Sequence, residues 1–251
     1  LETRFALASD AFAMTADYDS AISAYFISQG ATEESSLEND DDAFADTISV
    51  ELQRSAVLRY GENPHQKAAV YEQLGTSGPS LVRAKQLNGK ELSYNNLLDL
   101  DAAYHIAQSY TDPAVSVIKH NNPCGAAVAE NIAEATRNAM AGDPLSAFGS
   151  VLGFNQEVDE AAAEVLAEPG LFIEAIAAPS FSNAAVEILT TRPKWKANVR
   201  LMELGDGRHS GGDVQLRQIA GALLLQDGDT LADAYDEWNV VTDAQLDESL
   251  E

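Results

Sequence analysis

Lys119 and His120 follow directly on an apolar run, Ala114 to Ile118, and precede Asn121, Asn122, Pro123 and Gly125. The run is β-branched and fits a buried strand. The Asn, Pro and Gly that follow signal a turn. An ammonium can stabilise growing negative charge, and an imidazole can accept a proton near neutral pH. A strand that delivers both into a polar turn is how an α/β sheet presents chemistry at a strand end. A strand that merely ends in two solvated polar residues fits the same stretch.

Four more positions stand at the ends of strand-like runs. Arg59 and Tyr60 open an ordered loop, Arg59 to Gln66, inside ISVELQRSAVLRYGENPHQKAAVY. The guanidinium can pair with a phosphate through two bonds, and the phenol adds a stacking face and a hydroxyl. An incidental Arg in a hairpin-like turn reads equally well there. Gly149, in DPLSAFGS, sits where a backbone can approach a ligand closely, or where a strand simply bends. Glu174 is the only charge in LFIEAIAAP. A lone buried carboxylate costs several kcal/mol, so Glu174 is either solvated at a strand end or engaged by a hydroxyl or a cation. Together these residues suit a phosphorylated, sugar-containing substrate on which a proton must move.

The elements that would position them alternate between strand and helix, which predicts an α/β fold with a mostly parallel sheet. Residues 1–29 read as one or two helices, with Asp19 or Ser20 able to cap the second. An acidic, small-residue stretch then marks a linker. Asn-Gly at 88–89 predicts a tight turn, and Ser93 or Asn95 a cap for a helix over 96–109. Further helices are expected at 128–141, 158–166 and, capped by Ser182, 183–189. VLGF after Gly149 and Trp195 to Met202 read as strands, and a glycine turn is expected at 208–213. The acidic end, DEWNVVTDAQLDESLE (236–251), is expected to begin another helix.

Two other chemistries fit the residues less well. Pro123-Cys124 echoes part of a zinc deaminase signature, but the second Cys and an upstream His-x-Glu are missing, so no zinc is expected. A Cys124–His120 nucleophilic pair is disfavoured because both lie in a turn containing Pro, where the side chains need not face each other.

Five stretches, RYGENPHQKAAVY, QLNGKELSYNNLLDLDAA, IKHNNPCGAAVA, DPLSAFGSVLGFN and LFIEAIAAPSF, resemble successive motifs of the bifunctional purine-biosynthesis (PurH) family. That family combines aminoimidazole carboxamide ribonucleotide (AICAR) formyltransferase with IMP cyclohydrolase activity. The resemblance implies a three-layer, cytidine-deaminase-like transformylase half, preceded by the C-terminal helices of an α/β cyclohydrolase domain. The implied boundaries are 1–30 for the end of the cyclohydrolase domain, 31–51 for an acidic linker, and 52–251 for the first half of the transformylase domain. By the same resemblance, His120 is the proton acceptor and Lys119 the transition-state stabiliser. Arg59, Tyr60, Gly149 and Glu174 would bind the nucleotide. Formyl-tetrahydrofolate is the implied co-substrate, with its contacts largely outside this chain, and a homodimer is the implied assembly.

Bulk properties set limits. The 251 residues carry 15 Lys+Arg against 40 Asp+Glu, a formal net charge of −25. The repulsive field argues against nucleic acid and anionic membranes as partners, yet a local Arg, Lys or backbone nest can still hold a small phosphate ligand. One cysteine, Cys124, permits no internal disulfide. No apolar run approaches a membrane span and no signal peptide is evident, so a cytoplasmic protein is the default expectation. A chain that opens on Leu1, within a helical pattern, is expected to be a piece of a longer one.

Overall fold

The computed structural model describes residues 1–34, 44, 47–207 and 214–229. Most of the expected linker, the glycine turn at 208–213 and the helix expected near the acidic end lie outside the described residues. The chain divides into two units, Leu1–Val50 and Glu51–Glu251.

In the first unit a single helix, α1 (Glu2–Glu34), forms, the first of the two alternatives expected. Asp19 and Ser20 lie inside it and cap nothing. The alanines on either side are strong helix formers and carry the helix through both residues. It also continues four residues beyond Gly30, the end expected from composition.

The second unit holds two hairpins and a six-stranded sheet. Strand β1 (Leu52–Leu58) pairs antiparallel with β2 (Ala68–Gln73). Between them Arg59 to Gln66 form the ordered loop expected: Gly61 N–H donates to the Gln66 carbonyl at 2.9 Å and Asn63 N–H to Gln66 Oε1 at 2.7 Å. The large sheet is built from β3 (Lys85–Asn88), β4 (Ala114–Lys119), β5 (Asn122–Val128), β6 (Ser150–Phe154), β7 (Ile173–Ala178) and β8 (Arg200–Glu203). A last hairpin joins β9 (Gln215–Ile219) to β10 (Ala222–Gln226).

Strand order in the large sheet is β3-β8-β7-β6-β4-β5. Only the β6–β7 and β7–β8 pairs are parallel, while β3–β8, β4–β5 and β4–β6 are antiparallel. The sheet is therefore mixed, not mostly parallel. The difference originates at 122–128, which is strand β5 and not turn and helix. Pro123 is tolerated there because β5 is an edge strand, with one side free of ladder bonds. Gly125 is not a turn residue either. It lies under helix α3 (Ile132–Gly142), where a Cβ would come within 2.0 Å of the Ala139 carbonyl oxygen.

Two cores flank the sheet, giving three layers. Helix α2 (Tyr94–Gln108) covers one face, packing Leu100, Ala103 and Tyr104 against Ile118, Val151, Ala175 and Met202. Its approach is close: a Cβ on Gly153 would sit 2.2 Å from Ala103, and Ser116 Oγ donates to the Ala103 carbonyl at 2.5 Å. Helices α3, α4 (Glu160–Leu166) and α5 (Asn183–Thr191) cover the other face over Val115, Val117, Leu152 and Ile176. Ser93 caps α2 and Ser182 caps α5, as expected. Trp195 does not begin a strand. Its indole is buried and donates to the Leu171 carbonyl at 2.9 Å, and the local turn bonds to the Trp195 carbonyl delay β8 until Arg200. Among the described residues, no helix is long and apolar enough to cross a membrane.

Candidate active site

The mixed sheet decides where the chemistry can gather. Strand β4 runs against β6 and β7, so its C-terminal end lies beside their N-terminal ends. Ile118 pairs with Val151, which sets Lys119 next to the start of β6 at Gly149 and Ser150. Ser150 pairs with Ile173, which brings Glu174 to the same end of the sheet. Three residues from separate motifs thus stand at one end of the sheet: Lys119 and Gly149 touch, and Glu174 is held from the α2 side by Asn96.

Lys119 continues the alternation of Val115 and Val117, but at the rim of the sheet, where its chain is only half-buried. Its ammonium donates to the Gly149 carbonyl at 2.6 Å and to the Phe148 carbonyl at 3.2 Å. An ammonium has three donors, so this geometry fixes two of them and leaves one to aim elsewhere. Gly149 has φ +72°, and its N–H donates to the Phe172 carbonyl at 2.7 Å. A Cβ here would lie 3.1 Å from Lys119 Nζ and 3.1 Å from the Phe172 ring. Only glycine combines that backbone with that space.

Glu174 is half-buried and accepts from Asn96 Nδ2 at 3.2 Å. Neither of the alternatives the sequence left open describes it fully: a neighbouring amide holds it, and its other lone pairs stay available to a ligand. Asn96 is itself 5% exposed and fixed by a capping box with Ser93. His120 is exposed at the tip of the β4–β5 hairpin, with φ +52°. The next residue, Asn121, has φ +60° and donates its N–H to Asp99 Oδ1 at 2.7 Å.

Arg59 and Tyr60 are placed apart from this group. They follow β1, in a sheet of its own, and the guanidinium lies 5.6 Å from the Tyr60 ring centroid. Among the described residues no hydrogen bond or ion pair ties them to Lys119, His120 or Glu174. No carboxylate pairs with Arg59 or Lys119 among these residues either, so both cations are open to an anion.

Cys124 is unsuited to attack. Burial pushes its thiol up from the ordinary value, and its Sγ lies 3.5 Å from the Val117 carbonyl oxygen. Among the described residues no group of three or more His, Cys, Asp or Glu converges on a point.

Residue types alone missed Asn96, Asp99 and Phe172, which hold the named residues in place. The Ser93-to-Asn96 spacing carries a capping signal, but nothing in it points at Glu174, which is 78 positions away. Arg200 was also missed. It pairs with Ala175, next to Glu174, and its Nε is buried without a partner among the described residues. A lone Arg between apolar residues in NVRLM was the available signal.

A family model described as AICARFT/IMPCHase bienzyme matches residues 1–251. The bifunctional purine biosynthesis protein PurH of Rhodopirellula baltica is 51% identical over 249 residues, which are 99% of this chain and 46% of that protein. The chain therefore spans about half the length of that curated relative. A family model that matches the chain from end to end and a relative 51% identical over 99% of it show that the chain belongs to the AICARFT/IMPCHase bienzyme family.

Proposed function

We propose that this chain carries the nucleotide-binding, proton-transferring half of a formyltransferase. The substrate is AICAR, the donor is formyl-tetrahydrofolate, and the intact protein then closes the product to IMP. The observation that carries the reading is the Lys119 ammonium, held by two carbonyls at the sheet end where His120 and Glu174 also stand. The names of the matching family and of the relative support the substrate class.

The chemistry follows from the residues. An aromatic amine next to a carboxamide is a weak nucleophile. As its nitrogen attacks the formyl carbon, His120 takes the proton. Lys119 uses its remaining donor to stabilise charge on the formyl oxygen or on the departing folate nitrogen. The carbon–nitrogen bond to the folate breaks, and that nitrogen takes up a proton in turn. One positioned base typically contributes about a hundred- to ten-thousand-fold. Arg59 takes the phosphate, Tyr60 stacks, the Gly149 backbone contacts the nucleotide, and Glu174 binds the substrate.

The same reading assigns 1–30 to the end of a cyclohydrolase domain, 31–51 to a linker and 52–251 to half of a transformylase. The division of the chain at Val50 supports it. It also takes the working protein to be a cytoplasmic homodimer. A second reading is a chain that binds nucleotide, or only dimerises, without turnover.

Calorimetry with AICAR and a formyl-transfer assay separate these readings. His120→Ala is expected to abolish transfer and leave the heat of AICAR binding nearly unchanged. Turnover retained in His120→Ala sinks the assignment. Binding without turnover in the unaltered chain favours the binding module, and no heat at all favours the dimerisation module.

A further inference from the structure

His120 and Asn121 are the two-residue tip of the β4–β5 hairpin, bracketed by the Lys119–Asn122 pair. Both have positive φ, 52° and 60°, the pattern that a type I′ turn requires. Few residues other than Gly adopt it, and Asn and His do so more readily than most. A strained backbone of this kind persists only where its surroundings over-determine it. Two bonds do so here. Asn122 Nδ2 donates to the His120 carbonyl at 2.8 Å, from within the hairpin. Asn121 N–H donates to Asp99 Oδ1 at 2.7 Å, from the second turn of α2. The latter is short and charge-assisted, and among the described residues it is the tie to this tip from outside the hairpin.

The geometry points to Asp99 as a positioning residue whose carboxylate locks the left-handed tip and thereby fixes the direction in which His120 leaves β4. This rests on the reading of His120 as the proton acceptor. Asp99 bonds to a peptide N–H of the tip, so it acts through the backbone. Its helix is anchored independently: α2 is packed under Gly153 and capped by Ser93. The proton acceptor is thus referenced to the same helix that carries Asn96, the partner of Glu174.

The test follows amide exchange and the His120 ring by NMR in the full 251-residue chain, with and without AICAR. Asp99→Ala is expected to speed exchange at Asn121 by about tenfold or more, while Leu152 and Ile176 in the sheet keep their protection. The AICAR-induced shift of the His120 ring should shrink with it. Adding Asn121→Gly to Asp99→Ala should restore that shift, because glycine takes positive φ without strain and needs no carboxylate to stay there. If Asp99→Ala loosens the whole sheet, Asp99→Asn replaces it. That variant keeps an acceptor oxygen and should speed Asn121 exchange about threefold, with the sheet intact. Unchanged exchange at Asn121 with an unchanged His120 response overturns the positioning role, as does failure of Asn121→Gly to restore the response. If AICAR moves no His120 signal in the unaltered chain, the reading of His120 itself fails and the positioning role falls with it. A His120 that responds to AICAR and ignores the Asp99 variants overturns positioning alone.

Discussion

Gly149 ties Lys119 to Phe172 through its two flanking peptides. Its carbonyl holds the Lys119 ammonium, its N–H holds the Phe172 carbonyl, and its missing Cβ leaves room for both Lys119 and the Phe172 ring. Gly149→Ala therefore meets two penalties together. A left-handed alanine costs about 1 kcal/mol, and a methyl 3.1 Å from Nζ and from the ring requires one of them to move. The lysine tip is the softer of the two, so it is expected to swing off the carbonyl. Thermal unfolding should show a loss of about 1–2 kcal/mol, and formyl transfer should lose more in kcat than AICAR binding loses in Kd. A variant that melts with the unaltered protein and turns over normally would show that Gly149 neither shapes nor holds Lys119. Phe148 and Phe172, with ring centroids 5.4 Å apart, pack against each other at the same corner.

The turn that leads into Gly149 is a separate small device. Asp143 accepts the Ser146 hydroxyl and the N–H groups of Leu145 and Ser146, both at 3.1 Å. These bonds, the hydroxyl first, hold the Asp143 carboxyl below its ordinary value of 3.8. A depressed carboxyl contributes its stability above the unfolded value and loses it as the pH falls through the folded one. The turn should hold at neutral pH and loosen below 3.8. Because the carboxylate is fully exposed, the effect stays local. Amide exchange at Leu145 and Ser146 is expected to gain an acid-side acceleration, relative to β6, that Asp143→Asn removes. Equal pH dependence in both proteins would refute the device. This turn was legible from Asp-Pro-Leu-Ser, as were β4, β6 and β7 from their apolar runs and α2 and α5 from their capping serines. What was not legible depends on pairing. Asn122 to Val128 contains a Pro and a Gly that punctuate most chains, and only an edge position beneath α3 makes them strand residues. Once that strand is missed, the antiparallel course of β4 is missed too. The motif residues could be named from sequence, but the bonds Lys119–Gly149 and Glu174–Asn96 follow from register and packing across 30 and 78 positions.

Within the Glu51–Glu251 unit the cations sit on two constructions: Lys119 on the six-stranded sheet and Arg59 on the β1–β2 hairpin. With a net charge of −25 the mean field repels a nucleotide, so binding must come from such local cations. If one AICAR molecule engages both, its phosphate bridges the hairpin and its base meets the sheet end. Arg59→Ala should then weaken AICAR binding about tenfold to a hundredfold, the scale of a lost charge-assisted bidentate contact. The melting temperature should stay unchanged, since Arg59 lies only against the Tyr60 ring and has no carboxylate partner among the described residues. In the unaltered chain, AICAR should slow amide exchange at two separated places together: Gly61 and Gln66 in the loop after β1, and Lys119 to Asn122 at the end of β4. In Arg59→Ala both should lose protection in the same proportion, because a single ligand links them. Protection at the sheet end that survives intact without the guanidinium would mean that the hairpin and the sheet do not share a nucleotide. Arg59 would then serve some other anion.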